Sequence, residues 1–152
     1  MKINVGCGQD VRVGYLNIDK YPVSKDVTFG DATNLDKLSI LDSSVDEILA
    51  IHLIQYLPLS ILDSMFEGWN KKLAKDGTIY IESTDACLMG TMMAFVQQPM
   101  EVYNNILYNM QGEPIKSIHN LCDLESFIKT KGFETVVKGY KGTEFYLQMR
   151  KV

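Results

Sequence analysis

The sequence predicts an α/β fold: a mostly parallel sheet with a C-terminal antiparallel hairpin strand and helices on both faces. Strand-like and helix-like apolar patterns alternate along the chain, as they do where helices join parallel strands. The chain then finishes with two strand-like runs around a short turn, which is the pattern of an antiparallel hairpin. With 152 residues, 46% of them hydrophobic and 22% charged, we expect one domain spanning residues 1–152.

Five runs predict the parallel strands. The first, residues 2–6 (KINVG), is apolar and ends at a glycine. The others have the apolar content or the alternation of buried and half-buried strands, and they cover residues 15–19, 26–30, 45–51 and 78–82. We expect these five runs to form the parallel part of the sheet.

Two apolar stripes at helical spacing predict helices between and after these strands. The first begins after Pro58, a residue that the first turn of a helix tolerates, and is expected to end at Asp76-Gly77. The second runs from Leu121 to Ile128 and ends before Gly132. The hairpin follows, with strands over 133–139 and 144–149.

Residues 86–110 contain five of the eight methionines: Met89, Met92, Met93, Met100 and Met110. The prediction is helical core, interrupted near Pro99. The alternative is an adaptable lid or a homodimer interface, because methionine side chains repack easily. Tyr103 and Tyr108 lie among these methionines.

The ends of three predicted strands carry residues suited to a nucleoside. Ligands of open α/β sheets bind at the carboxyl ends of the strands. Gly6 and Gly8 let the backbone bend or approach a ligand there. Asp19 ends the second strand, where a carboxylate can accept both hydroxyls of a ribose. Each feature has a structural alternative, a tight turn for the glycines and a strand-end turn for the aspartate.

The third strand ends in "GDAT", residues 30–33. Asp31 can accept from an adenine amino group, and the Ala32 backbone can pair with a ring nitrogen. The alternative for Asp31 is a helix N-cap. A nicotinamide or flavin dinucleotide fits less well, because Val11 replaces the third glycine of that fingerprint and residues 9–14 leave room for about one helical turn.

The stretch "INVGCGQDVRVGYLNIDKYP" resembles the opening of class I S-adenosylmethionine-dependent methyltransferases, in particular short bacterial and phage-type members. The resemblance implies a Rossmann-like fold with S-adenosylmethionine as cofactor. It implies that Asp19 holds the ribose and that Asp31 and Ala32 lie at the adenine. The residues that match the family's glycine turn, which supports the methionine part of the cofactor, are Asn4, Gly6, Cys7 and Gly8.

The resemblance continues through "SSVDEILAIHLIQYLP" and "LAKDGTIYIESTD" to the segment after Tyr108. His52 matches a family histidine and is expected at the cofactor. Gln55-Tyr56 stands where the family has Glu-His. The implied activity is methyl transfer to a small-molecule or saccharide acceptor, with His119 and His52 as the candidate general bases. Two alternatives are an inactive S-adenosylmethionine-binding or regulatory partner and, less favoured, a nicotinamide-dependent reductase.

Charge and composition limit the partners. The net charge of −4 argues against a broad nucleic-acid-binding face. No apolar run approaches the roughly 20 residues that span a bilayer, and no signal-peptide pattern is found. The three cysteines lack Cys-x-x-Cys spacing, so we expect free thiols in a cytoplasmic protein. The two histidines are far apart in the sequence, and no metal site is expected.

Overall fold

A single seven-stranded sheet organises the computed structural model, which describes residues 1–96, 99, 101, 102, 104 and 114–152. The strand order is β3-β2-β1-β4-β5-β7-β6. Strands β1 to β5 pair in parallel, and β7 is antiparallel to both of its neighbours. This confirms the predicted mostly parallel sheet with an antiparallel C-terminal hairpin strand. The strands are β1 Lys2–Val5, β2 Tyr15–Asp19, β3 Val27–Phe29, β4 Val45–Ile51, β5 Leu73–Thr84, β6 Phe133–Lys141 and β7 Glu144–Lys151.

In the part of the chain that the structure describes, the sheet is accompanied by the α-helices α1 Leu59–Lys72, α2 Ala86–Phe95 and α3 Leu121–Lys129 and by the short 3₁₀ turns Leu35–Leu38 and Ile54–Tyr56. One buried carboxylate starts two of the helices. Asp85 accepts hydrogen bonds from the backbone N–H of Cys87 at 2.9 Å and of Leu88 at 3.0 Å at the start of α2. Its other oxygen accepts from the N–H of Leu121 at the start of α3, at 2.9 Å. Asp85 thereby ties the two helices to the end of β5.

The boundary between α1 and β5 differs from the sequence prediction. The helix ends at Lys72, and β5 begins at Leu73, whereas the helix was expected to continue to Asp76-Gly77. Leu73 already pairs with Val45 of β4, and the register shifts before Thr78 pairs with Glu47. Asp76 has φ +60°. The Asp76-Gly77 pair therefore forms an irregularity within a strand, because pairing with β4 replaces the last turn of the helix.

Helix α2 is mostly exposed. Of its residues only Met89 is buried, and Phe95 is 84% exposed. The helix ends before Pro99, as predicted, but it does not contribute the core side chains that were expected of it. Met100, Met110, Tyr103 and Tyr108 lie outside the described residues, and the predicted homodimer interface through 86–110 remains a prediction.

The two faces of the sheet differ in chemistry. The apolar face packs against α1 and α3, and its buried side chains include Ile3, Ile18, Ile48, Ile79, Ile81 and Leu147. Phe66 of α1 contacts both Trp69 and Phe127 edge to face, with ring centroids 5.3 and 6.1 Å apart, which places α1 and α3 on the same face. The polar face carries the half-buried side chains of Tyr15, Glu47, Tyr80, Glu82, Glu144 and Tyr146.

Among the residues that the structure describes, no helix is long and apolar enough to cross a membrane.

Candidate functional site

A cavity of about 620 Å³ lies at the carboxyl ends of four adjacent parallel strands. Its lining residues come from residues 6–10 after β1, from 19–23 at the end of β2, from 30–32 after β3 and from 51–57 at the end of β4. Asn4 of β1 and Lys116 complete the wall. The volume is within the range of about 300–1,000 Å³ that is usual for small-molecule sites.

The glycine turn after β1 forms one wall. Gly6 has φ +62° and Gly8 has φ +50°, a conformation that other residues rarely adopt. A Cβ atom at Gly6 would lie 2.5 Å from Cδ1 of Leu53, so this position also lacks space for a side chain. Cys7 between them is buried, and burial together with nearby Asp19 raises the pKa of its thiol to about 11. The thiol is therefore uncharged and is not an activated nucleophile.

Asp19 links the end of β2 to this turn. One carboxylate oxygen accepts from the backbone N–H of Gly8 at 2.8 Å, and the other accepts from the N–H of Tyr21 at 2.8 Å. Each carboxylate oxygen has a second lone pair, so the group can still accept from a diol in the cavity. Asp19 thus has a structural contact of its own in addition to its place in the cavity wall.

Asn4 is 1% exposed and acts on the loop that follows the turn. Its amide donates to the carbonyl of Asp10 at 2.7 Å and to Oδ1 of Asn17 at 3.1 Å. Asn17 in turn accepts from the N–H of Arg12 and donates to the carbonyl of Arg12. The sequence reading did not select Asn17, and an asparagine inside a short buried strand is the signal that points to it.

Residues 9–14 form turns and no helix. The N–H of Asp10 bonds back to the carbonyl of Cys7, and that of Val11 to the carbonyl of Gln9. A dinucleotide site needs a helix N-terminus at this point to face the pyrophosphate. The geometry therefore fits a nucleoside without that group better than a dinucleotide.

Asp31 and Ala32 lie beside the turn after β3. Asp31 Oδ1 accepts from the N–H and the hydroxyl of Thr33, and Oδ2 is 3.1 Å from Lys20 Nζ. Partial burial alone would raise the pKa of Asp31, but the bonds from Thr33 and the Lys20 ammonium lower it overall. Trp69 Nε1 donates to the carbonyl of Ala32 at 2.8 Å, which ties this segment to α1.

His52 lines the cavity directly after β4. Its backbone has φ +52°, and its N–H donates to the carbonyl of Glu82. Nε2 of the ring is 3.6 Å from Oε1 of Glu144. Nδ1 is buried and has no hydrogen-bond partner within the described part of the chain.

His119 does not line this cavity. It is 7% exposed, and its Nε2 lies 2.7 Å from the hydroxyl of Ser117. Burial lowers the pKa of His119 below its usual value, against a weaker opposing contact with the carbonyl of Ile54. The ring borders a separate cavity of about 350 Å³ beside Leu62 and Phe127. All the other predicted site residues line the larger cavity: Asn4, Gly6, Cys7, Gly8, Asp19, Asp31, Ala32 and His52.

The Gln55-Tyr56 pair has divided roles. Gln55 is buried, accepts from the hydroxyl of Ser83 at 2.7 Å and offers its backbone carbonyl to the N–H groups of Lys116 and Ser117. Tyr56 lines the cavity. The sequence reading missed Lys116, and no local signal identifies it because Gln55 brings it to the cavity from a distant part of the chain.

Comparisons with known proteins find similarity at the level of structure. No protein-family profile matches the sequence, and no curated protein matches it either. An S-adenosylmethionine-dependent methyltransferase from Archaeoglobus fulgidus is 14% identical, with a TM-score of 0.65 over 99% of this chain and 85% of that chain. One from Thermotoga maritima is 15% identical, with a TM-score of 0.69 over 99% and 82%.

The magnesium protoporphyrin IX methyltransferase of Synechocystis, solved with bound S-adenosylhomocysteine, is also similar. It is 10% identical, with a TM-score of 0.63 over all of this chain and 74% of that chain. The strand order and the antiparallel strand β7 of this chain agree with the fold of these similar structures. The chain has the fold of the class I S-adenosylmethionine-dependent methyltransferases.

Proposed function

We propose that this chain binds S-adenosylmethionine in the large cavity and transfers its methyl group to a small-molecule or saccharide acceptor. One observation carries the proposal: the glycine turn, Asp19 and the Asp31-Ala32 pair all line one cavity at the strand ends of a methyltransferase fold. The similar Synechocystis enzyme with bound S-adenosylhomocysteine supports the choice of cofactor.

The donor groups fit the parts of this cofactor. Asp19 would accept the ribose hydroxyls, since backbone N–H groups already orient both of its oxygens. Asp31, kept ionised by Thr33 and Lys20, would accept from the adenine amino group. Gly6 and Gly8, whose positive φ angles favour glycine, would leave backbone without side chains beside the methionine portion.

When bound, the cofactor supplies a methyl group activated by its sulfonium, so the protein has to contribute alignment and exclusion of water. A general base is needed only for an acceptor that carries a proton on its nucleophile. Of the two predicted bases, His52 lines the cavity, and His119 lies against Ser117 beside the smaller one. Of these two candidates, His52 is the one placed to act as a base inside the large cavity.

Calorimetric titration with S-adenosylmethionine and S-adenosylhomocysteine, with NAD as control, tests the proposal directly. We expect micromolar binding of the first two and none of NAD. Absence of binding to the folded chain would contradict the proposal. Binding without release of S-adenosylhomocysteine across a panel of hydroxyl and amine acceptors would favour the inactive or regulatory alternative.

Asp19→Ala should weaken binding of S-adenosylhomocysteine at least about ten-fold, the size expected for losing good charged hydrogen bonds. Asp26→Ala is the matched control, because Asp26 is an exposed aspartate between β2 and β3 that does not line the cavity. Circular dichroism checks that Asp19→Ala is folded, and Asp31→Ala provides a second probe that leaves the glycine turn intact. Unchanged affinity in folded Asp19→Ala would remove this residue from the site.

His119→Ala should leave the affinity for S-adenosylhomocysteine nearly unchanged, because the ring does not reach the large cavity. If His119 is the base, the same variant slows transfer to an acceptor found in the panel. A collapse of cofactor affinity in folded His119→Ala would show that His119 supports cofactor binding and would contradict its assignment as a base.

A further inference from the structure

Three metal-ligating side chains meet beside the large cavity. They are His52 directly after β4, Glu82 in β5 and Glu144 in β7, and one ligand atom of each lies within 4.8 Å of the other two. The register explains the meeting. Ile51 pairs with Glu82, and Glu144 pairs with Thr84, so adjacent strands bring the three residues to one edge of the polar face.

The two carboxylates have no lysine or arginine partner at short range among the described residues, and the Arg12 guanidinium interacts with Glu82 only from a greater distance. Within the described chain, neither Glu82 nor Glu144 forms an ion pair with a lysine or arginine. Glu82 accepts a hydrogen bond from the hydroxyl of Tyr80 at 2.5 Å, and Glu144 lies beside the ring of His52. Two half-buried carboxylates this close repel each other unless a cation or a proton lies between them.

Among the described residues, neither ring nitrogen of His52 forms a hydrogen bond. Its Nε2 is 3.6 Å from Glu144 Oε1, which is longer than a hydrogen bond. Its Nδ1 is buried and unpaired among the described residues. Nε2, the nitrogen nearest to Glu144, is therefore free of a hydrogen bond to any described residue and available to bind an ion.

The separation of 3.6 Å suits ligands of one ion. Zinc binds histidine nitrogen and carboxylate oxygen at about 2.1 Å, so two ligands in tetrahedral geometry lie about 3.4 Å apart. The nitrogen of His52 and the oxygen of Glu144 are already at that spacing. The two remaining distances, both of which involve Glu82, are at most 4.8 Å, so Glu82 has to move toward the other two ligands to bind the same ion.

We propose that His52, Glu82 and Glu144 bind a divalent first-row transition-metal ion, with zinc as the reference ion. An imidazole nitrogen with two carboxylate oxygens is a donor set that such ions accept, and it is less suited to magnesium, which prefers oxygen ligands and retains its waters. The hydroxyl of Tyr80 holds Glu82 in orientation, as groups around a metal ligand commonly do.

Because His52 also lines the large cavity, an ion bound to it would lie at the wall of that cavity. Three protein ligands leave a coordination position open, which is the arrangement of catalytic rather than structural zinc sites. If the chain has the proposed function, an oxygen of the methyl acceptor could occupy that position. With an ion on Nε2, His52 is a ligand and is not the general base.

Calorimetric titration of the full chain with Zn²⁺, in the absence of any cofactor, tests the site. The exposed thiols of Cys87 and Cys122 are themselves zinc ligands, so the titration is made in a Cys87→Ser/Cys122→Ser background. We expect one ion per chain, and weaker binding of Mg²⁺ in a parallel titration. Glu144→Gln and Glu82→Gln should each weaken Zn²⁺ binding at least about ten-fold. Losses of this size are already seen when a residue that merely contacts a metal ligand is changed.

Glu134→Gln is the matched control, because Glu134 is a sheet carboxylate that pairs with Arg150 and lies outside the cluster. Its Zn²⁺ affinity should equal that of the parent. Circular dichroism and the thermal midpoint establish that the variants are folded. Three results would overturn the proposal: no Zn²⁺ binding by the folded parent, binding by both cluster variants as tight as that of the parent, or tighter binding of Mg²⁺ than of Zn²⁺. None of these results depends on binding of S-adenosylmethionine, so the two proposals fail separately.

Discussion

The apolar and polar faces of the sheet are stabilised in different ways. The apolar face is covered by α1 and α3, and its isoleucines and leucines are removed from water together with Phe66 and Trp69. The polar face is held by specific hydrogen bonds, such as those of Asn17 with the Arg12 backbone and of Tyr15 with Glu47. The comparison teaches that one face supplies most of the stability, while the other positions the groups that can meet a ligand.

The largest expected effect is on the apolar face. Phe66→Ala should lower the free energy of unfolding by about 3–5 kcal/mol. The ring extends from α1 and is fully buried against Phe127 of α3, so its removal leaves a cavity. Urea denaturation measures the loss. Leu59→Ala in the same helix is the control, since Leu59 is 64% exposed. Similar losses in both variants would contradict the assignment of this face as the core.

A smaller effect is expected where the polar face is tied together. Asn17→Ala should cost about 1–3 kcal/mol, because it leaves the Asn4 amide and the Arg12 backbone without their buried partner. Urea denaturation again provides the measurement, and exposed Asn34→Ala is the control. A cost as large as that of Phe66→Ala would remove the distinction between the two faces.

The charged network beside α3 should produce a pH-dependent effect of lesser size. Hydrogen bonds from Lys138, Thr135 and Lys129 lower the pKa of Glu125 to about 2 from an ordinary value of 4.5. The stabilisation is therefore complete above pH 4.5 and is lost as the pH falls through about 2. The lysines are 44% and 49% exposed, so solvent screens part of it.

Thermal unfolding followed between pH 7 and pH 2 measures this effect. Glu125→Gln should show a shallower fall of the melting temperature below pH 4.5 than the parent, because one fewer carboxylate is protonated on unfolding. Exposed Glu101→Gln should follow the parent curve. Parallel curves for the parent and Glu125→Gln would show that this network is not coupled to folding.

The smallest effect is expected at the half-buried edge of the polar face. Tyr15→Phe removes the 2.8 Å hydrogen bond to Glu47, which keeps Lys2 as an ion-pair partner and remains accessible to water. The cost should be about 0.5 kcal/mol or less. Chemical denaturation compares the free energy of unfolding of Tyr15→Phe with that of Asn17→Ala. A larger loss in Tyr15→Phe would mean that the edge of the polar face contributes more to stability than the buried pair Asn4 and Asn17.

Local sequence patterns predicted much of the fold and the wall of the large cavity. Gly6, Asp19 and Asp31 each end or directly follow a strand, and the carboxyl ends of neighbouring parallel strands lie together. No pairing register had to be known to place them near one another. The class I methyltransferase fold is confirmed, and the roles of the individual residues in cofactor binding remain predictions.

Contacts between distant segments were not predictable in this way. The sequence indicated His119 as a candidate general base, and its burial against Ser117 follows from the bridge between Asp85 and His119. Asp85 itself gave no sign that it would cap two helices. Such contacts depend on where the segment before α3 lies against the end of β5, and no short-range pattern encodes that position.

By itself, the sequence determined the alternation of strands and helices, the hairpin and the glycine turn, because these depend on side-chain periodicity and backbone preference within a few residues. The tertiary structure alone decided that His52, Glu82 and Glu144 meet. Their meeting requires the antiparallel register of β5 with β7, in which Glu82 pairs with Tyr146 and Thr84 with Glu144. A shift of one residue in that register would move every side chain of β7 to the other face of the sheet.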